Sequence, residues 1–201
     1  MKIIGLTGGI ACGKSTVSKY LCEKGAVIID ADAIAHEFLA PGNLLYEAYR
    51  RHFGDEILLP GGQLDRRAIG QLVFRKPAER KWMDETAHPI IQQEICRRLQ
   101  QYKKEKKMLI VLDVPLLFEL GWDKMSEETC LVYTDEKIQL ERLMKRNDYG
   151  REEAAARIAA QMPLEEKKKR ADRLIDNSGS LSSTLRQVDI LWKEWTHDGV
   201  S

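Results

Sequence analysis

The sequence predicts an α/β fold, a five-stranded parallel sheet flanked by helices, and three observations predict it. Five short runs are almost continuously apolar, as strands covered on both faces are. Helical patterns separate each run from the next, so the strands are joined by crossovers rather than hairpins. A glycine-rich loop, Gly8-Gly9-Ile10-Ala11-Cys12-Gly13-Lys14-Ser15, links the first run to the first helical pattern.

Residues 2–7 read as the first strand, and a helix over 15–24 stops at Gly25. The second strand, 26–30, runs into Asp30-Ala31-Asp32. No convincing strand follows until 108–113, the most apolar run, where Leu109-Ile110-Val111-Leu112 ends in Asp113. The interval holds helical patterns over 65–74 (opened by an acidic cap), 78–87 and 89–104. In the last, Pro89 occupies a helix start and Ile90, Ile91, Ile95 and Leu99 share a face. An ordinary crossover needs one helix, so about 33–107 is expected to form an inserted helical lobe that binds substrate. The fourth strand is 129–134 and the fifth, weaker, 173–176. Between them, 146–171 carries two amphipathic segments, 151–162 and 164–171, broken at Pro163 and rich in arginine and acids. This segment is expected to be a helical lid. A final helix over 181–195 presents Leu185, Val188, Leu191, Trp192 and Trp195, a face that packs on the sheet.

Composition narrows the function classes. A chain of 201 residues with 43% hydrophobic and 31% charged side chains is an ordinary soluble mixture. A net charge of +1 supplies no global field for nucleic acid or a membrane surface. The basic runs Lys103-Lys104-Glu105-Lys106-Lys107 and Lys167-Lys168-Lys169-Arg170 are flanked by acids and read as solvated helix faces. No apolar run approaches membrane-spanning length, and residues 1–7 read as a strand rather than a signal peptide. Cys12, Cys22, Cys96 and Cys130 form no C-x-x-C pair and have no His-rich partner spacing, so they read as reduced thiols of a cytoplasmic protein.

The chemistry starts at the loop. Gly8 to Ser15 fits G-x-x-x-x-G-K-[ST], and its setting of strand, loop and helix makes it a nucleotide-phosphate site. The glycines let several backbone N–H groups face one point, and the helix N-terminus adds partial positive charge there. Lys14 can reach the β- and γ-phosphates of ATP, and the Ser15 hydroxyl can hold Mg²⁺. Ligands of parallel α/β sheets bind at the carboxyl ends of the strands, which is where Asp32 and Asp113 lie. Asp32 is either the group that accepts or orients the proton of an attacking hydroxyl or the N-cap of a helix over 33–39. Asp30 is structural or acts through water on Mg²⁺. Asp113 is a metal-linked strand-end carboxylate or a structural one. His36, one turn beyond Asp32, contacts a substrate phosphate or faces solvent or core. Arg142, Arg146, Arg151 and Arg157 can meet charge spreading over a transferred phosphoryl group, or pair with Glu141, Glu152 and Glu153 on a helix surface. Arg66 and Arg67 are candidates for an anionic substrate. His88 is a ligand contact or part of a helix-start turn. Asn177, after the fifth strand, is a candidate adenine contact.

The same residues carry a family resemblance. The chain resembles the dephospho-coenzyme A kinase family over nearly its full length. The matching stretches are Gly5-Leu6-Thr7-Gly8-Gly9-Ile10 with Gly13-Lys14-Ser15-Thr16, Ile29-Asp30-Ala31-Asp32 with His36, Leu64-Asp65-Arg66 with Val73-Phe74, and His88-Pro89. Val114-Pro115-Leu116-Leu117-Phe118-Glu119, Arg142 with Arg146, Gln161, Ala171-Asp172 and Ile175-Asp176-Asn177 complete them. The loop alone is shared with many kinases, whereas the Thr-Gly-Gly-Ile opening, Asp-Ala-Asp and Val-Pro-Leu-Leu-Phe-Glu together are far more specific. The resemblance implies a P-loop kinase fold with a helical coenzyme A lobe and a lid, in which ATP and Mg²⁺ convert 3′-dephospho-coenzyme A to coenzyme A. It places Asp32 as the base for the ribose 3′-hydroxyl. Lys14, Arg142 and Arg146 attend the phosphoryl group, and residues 8–16 with Asn177 bind ATP. It puts His36, Arg66 and His88 on the substrate side and Ser15 and Asp113 toward the metal. The chain is expected to be a monomer or weak homo-oligomer. Cys12 occupies a loop position that is often a smaller residue, and a thiol there is a candidate for oxidation.

Three other readings share parts of this pattern. Another small-molecule kinase would have the same loop and lid and a different lobe. A GTPase-type switch would read guanine through Asn-Lys-x-Asp, which does not occur here. A regulatory ATP binder would bind without turnover, against which Lys14, Ser15, Asp32 and Asp113 all stand intact.

Overall fold

A computed structural model describes residues 1–197; the side chains of Phe74, Arg75 and His197 also lie outside the described residues. The chain divides into two compact units, one holding Met1–Ile29 and the chain from Tyr102 onward, the other Asp30–Gln101.

The first unit is built on a sheet of β1 (Lys2–Gly8), β2 (Val27–Asp30), β3 (Leu109–Asp113), β4 (Glu128–Tyr133) and β5 (Arg173–Asp176). Their order is β2-β3-β1-β4-β5. β1 pairs in parallel with β3 on one side and β4 on the other, and β4 pairs in parallel with β5. Ile4, Leu6, Leu109, Val111, Cys130, Val132 and Ile175 bury one face against Val17 and Leu21 of α1 (Lys14–Glu23) and Val188, Leu191 and Trp195 of α9 (Leu181–His197). The residues that alternate with them, Ile110, Leu112 and Leu131, are fully buried as well, so the sheet is covered on both faces. That is why the strand sequences are continuous apolar runs. α1 stops where expected. Gly25 takes φ +105°, and the N–H of Ala26 donates to the Leu21 carbonyl at 3.0 Å, closing the helix end.

The second unit is helical: α2 (Ala31–Phe38), α3 (Leu44–Phe53), α4 (Arg66–Arg75) and most of α5 (Pro77–Lys104). Leu45, Tyr46, Tyr49, Ile57, Leu64 and Ile69 form its core, with Trp82, Met83 and Ile90 packed against them. His52 lies flat on Trp82 at 3.6 Å. Two features depart from the sequence expectation. α3 was not expected, although Leu45, Tyr46 and Tyr49 make an apolar stripe; its aromatic residues are weak helix formers and hide the pattern. The expected break between 78–87 and 89–104 is absent, and α5 runs through Pro89. Proline deletes one backbone hydrogen bond and crowds the preceding turn. Here the helix is held on both sides of it, by Met83 and Ala87 before and by Ile90, Ile91 and Ile95 after.

Candidate active site

The register of the sheet brings the loop and Asp113 together. Leu6 of β1 lies opposite Asp113 of β3. Asp113 is only 3% exposed, and its carboxylate is ion-paired with the Lys14 ammonium. The Val114 N–H donates to the Leu6 carbonyl at 2.9 Å, and the Thr7 hydroxyl donates to the Pro115 carbonyl at 3.0 Å. The strand that enters the loop is thus stitched to the chain that follows Asp113. Ala11 and Gly13 take φ +61° and +88°, the curl that the motif was expected to supply. Ser15 and Thr16 are exposed in the first turn of α1.

Side-chain amides support the loop from the protein side. The Ile10 N–H donates to Gln161 Oε1 at 2.8 Å, and Gln139 Nε2 donates to the Ile10 carbonyl at 2.9 Å. Asn177 Nδ2 donates to the Cys12 carbonyl at 2.8 Å, and Asn177 Oδ1 accepts from the Thr184 hydroxyl at 2.8 Å. Both ends of the Asn177 amide are therefore engaged inside the protein, as a brace of the loop. Gln139, on α6 (Glu136–Asn147), was missed at sequence level. Its one signal is a polar residue on the buried stripe that it shares with Leu143.

The segment expected to be a lid contains α7 (Arg151–Ala159) and α8 (Leu164–Arg170). The expectation that 167–170 is a wholly solvated basic face is corrected at Lys167, which is completely buried. Its ammonium reaches the Glu119 carboxylate at 2.8 Å and the Pro115 carbonyl at 3.0 Å. A buried ammonium needs such partners to offset its lost hydration. Glu119 also accepts from the Met162 N–H at 3.2 Å. Residues 161–167 are therefore anchored, at the loop through Gln161 and at 115–119 through Lys167.

A family model described as Dephospho-CoA kinase matches residues 2–183 of this chain, a span that contains the loop, Asp113, Gln139, Gln161, Lys167 and Asn177. The chain belongs to the dephospho-CoA kinase family. A dephospho-CoA kinase of Symbiobacterium thermophilum is 50% identical over 193 residues, covering 96% of this chain and 81% of that protein. The solved structure of TT1252 from Thermus thermophilus superposes with a TM-score of 0.80 at 37% identity, over 96% of this chain and 97% of that one. A Campylobacter jejuni dephospho-CoA kinase superposes with a TM-score of 0.67 at 29% identity, over 98% of each chain.

In this member of the dephospho-CoA kinase family, the remaining sequence candidates are placed as follows. Asp30 is the N-cap of α2: its carboxylate accepts from the N–H groups of Asp32 and Ala33 at 2.8 and 3.1 Å. Asp32 is therefore not the cap, and it sits exposed in the first helical turn with His36 exposed one turn on. Arg66 and Arg67 are exposed at the start of α4, whose N-cap is Asp65. His88 lines an open groove of about 480 Å³ along α5 with Arg80, Lys81 and Asp84. Arg142, on α6, is half-buried, and its charge acts on the Cys12 thiol. Arg146 is exposed and donates to Asn147. Arg157 pairs with Glu153 at 3.0 Å over the Tyr149 ring, the surface-pairing alternative for that arginine.

The Cys12 thiol, a candidate for oxidation in the sequence, is buried. Burial pushes it up to about 11 against the opposing pull of backbone hydrogen bonds and of the Arg142 and Lys167 charges. The thiolate is the reactive form, and a shift from 9.0 to about 11 lowers its population roughly 100-fold at neutral pH. Native protein treated with iodoacetamide is expected to alkylate at exposed Cys22 and Cys96 and to leave Cys12 and Cys130 intact. Peptide mass mapping reads this directly, and Cys12 labelling at the rate of Cys22 would contradict it.

Proposed function

We propose that this chain transfers the γ-phosphoryl group of ATP to the ribose 3′-hydroxyl of 3′-dephospho-coenzyme A, giving coenzyme A and ADP. The observation that carries the reading is the loop Gly8–Ser15 with Lys14 set against Asp113, within a family match that spans residues 2–183. Residues 8–16 wrap the ATP phosphates, and Asn177 contributes to ATP binding by bracing Cys12. Lys14 exchanges Asp113 for the β- and γ-phosphates and stabilises charge on the transferred group. Asp32 accepts the proton as the 3′-oxygen attacks phosphorus and the bond to the β-phosphate oxygen breaks, the leaving electron pair going to ADP. The assignment of Asp30 as the cap supports this role for Asp32. Arg142 and Arg146 meet the spreading charge, and His36, Arg66 and His88 hold the anionic substrate.

The donor set suits Mg²⁺. Ser15 and Asp113 offer hard oxygens, and among the described residues no group of three or more His, Cys, Asp or Glu could hold a metal. Mg²⁺ binds through one or two protein oxygens plus water and phosphate, so Ser15 directly and Asp113 through water would suffice. The ion would neutralise phosphate charge as it develops. No helix among the described residues is long and apolar enough to cross a membrane. The proposed partners are ATP and dephospho-coenzyme A, met in the cytoplasm by a monomer or weak homo-oligomer.

ADP release with Mg²⁺ and ATP tests the acceptor. Dephospho-coenzyme A is expected to stimulate release, and AMP, adenosine, shikimate or no acceptor is not. Turnover on another acceptor with none on dephospho-coenzyme A would overturn the proposal.

A further inference from the structure

Two glutamines grip one residue of the phosphate loop from opposite sides of its peptide groups. The Ile10 N–H goes to Gln161 and the Ile10 carbonyl to Gln139, at 2.8 and 2.9 Å. Backbone polarity fixes the sense of each bond: Gln161 can only accept and Gln139 can only donate. Gln139 is 2% exposed, so its amide is committed to this contact rather than to water. The loop sequence is fitted to the grip. A Cβ added at Gly9 would lie 2.8 Å from Gln139 Nε2, and one added at Gly13 would run into the Asn177 amide. Both glycines thus leave room for the supports behind the loop, and Gly13, at φ +88°, also serves its curl. Gln161 sits in the link between α7 and α8, next to Met162, whose N–H donates to Glu119.

We propose that Gln139 and Gln161 are positioning residues for ATP, clamping Ile10 so that the loop holds its phosphate-binding shape before nucleotide arrives. An unclamped loop loses conformational entropy when it orders around phosphate, and a clamped one has lost it on folding. Loss of either bond therefore weakens ATP binding, although neither glutamine is assigned a contact with ATP. The proposal rests on ATP being the ligand of the loop.

Glutamate substitution reads the polarity of the two bonds. Gln161→Glu keeps the acceptor, whereas Gln139→Glu removes the donor and sets an anion against a carbonyl. Both add one negative charge beside the loop, so the difference between them reads whether the side chain at each position must donate or accept. Calorimetric Kd values for Mg²⁺ with a non-hydrolysable ATP analogue are expected to rise at least tenfold in Gln139→Glu and less than threefold in Gln161→Glu. Gln161→Met, which loses the acceptor without adding charge, is expected to raise Kd about two- to tenfold. It should also speed exchange of the Ile10 amide proton and raise KM for ATP with kcat nearly unchanged. Equal effects of the two glutamates, or a Gln161→Met protein with wild-type Kd and wild-type Ile10 exchange, would overturn the proposal. If Gln139→Glu does not fold, the comparison of Met and Glu at half-buried position 161 decides alone. A wild-type protein that binds no ATP analogue would instead sink the functional reading.

Discussion

Replacing Asp32 with asparagine is expected to lower kcat for dephospho-coenzyme A by about 100- to 10 000-fold, the span of general-base contributions, with the Kd for ATP unchanged. Asparagine keeps the size of the side chain and its place in the first turn of α2, and loses the negative charge and with it the capacity to take a proton. The helix itself should not suffer, because Asp30 supplies the cap. Far-UV circular dichroism and thermal midpoints of the two proteins are therefore expected to coincide. Steady-state kinetics with calorimetric ATP binding checks both halves. A loss below tenfold would assign Asp32 to orienting the hydroxyl, consistent with a loose phosphoryl-transfer transition state that asks little of a base. A parallel loss of ATP binding would contradict the assignment.

Replacing Lys167 with methionine is expected to cost about 3 kcal/mol of unfolding free energy, at the lower end for a broken buried ion pair. Among the described residues, the Glu119 carboxylate would keep the Met162 N–H and the Pro115 carbonyl would keep the Thr7 hydroxyl. Urea titration reads the loss as a lower midpoint with an unchanged slope. The double variant Lys167→Met with Glu119→Leu is expected to recover most of it, since matched apolar replacement of a buried pair is often close to neutral. A single variant as stable as wild type would mean that Lys167 is not held where the structure places it. A double variant no better than the single would assign the loss to packing around Pro115 rather than to the pair.

What was legible in the sequence follows from what was local. The phosphate loop is contiguous, and its meaning depends only on the strand before it and the helix after it; Gly25 likewise marks the end of α1 by its own backbone preference. The central strands announced themselves because β1, β3 and β4 are buried on both faces, and β5, with Arg173 and Leu174 exposed, was the weaker signal. The roles of Asp30 and Asp32 were not separable. Either can cap a helix that starts just after it, and the bonds from the Asp32 and Ala33 N–H groups to the Asp30 carboxylate show that Asp30 does. Lys167 was misread because its three basic neighbours suggested a solvated face. Burial of one basic residue in four is decided by Glu119 and Pro115, about fifty positions earlier in the chain. Gln139 and Gln161 support Ile10 across 129 and 151 positions. Gln161 entered only as part of a family pattern, and Gln139 not at all, since a polar residue on a buried stripe says that a partner exists without saying which. Pro89 shows the reverse case, a strong local signal overridden by packing on both sides of it.

The most direct test of the account is the identity of the product. Wild-type protein, Mg²⁺, ATP and 3′-dephospho-coenzyme A are incubated together and followed by phosphorus NMR. The account predicts a new phosphomonoester resonance coupled to the ribose H3′ proton, growing in step with ADP and absent without either substrate. ADP growing with inorganic phosphate alone, or a phosphoryl group on any other oxygen of the acceptor, would contradict it.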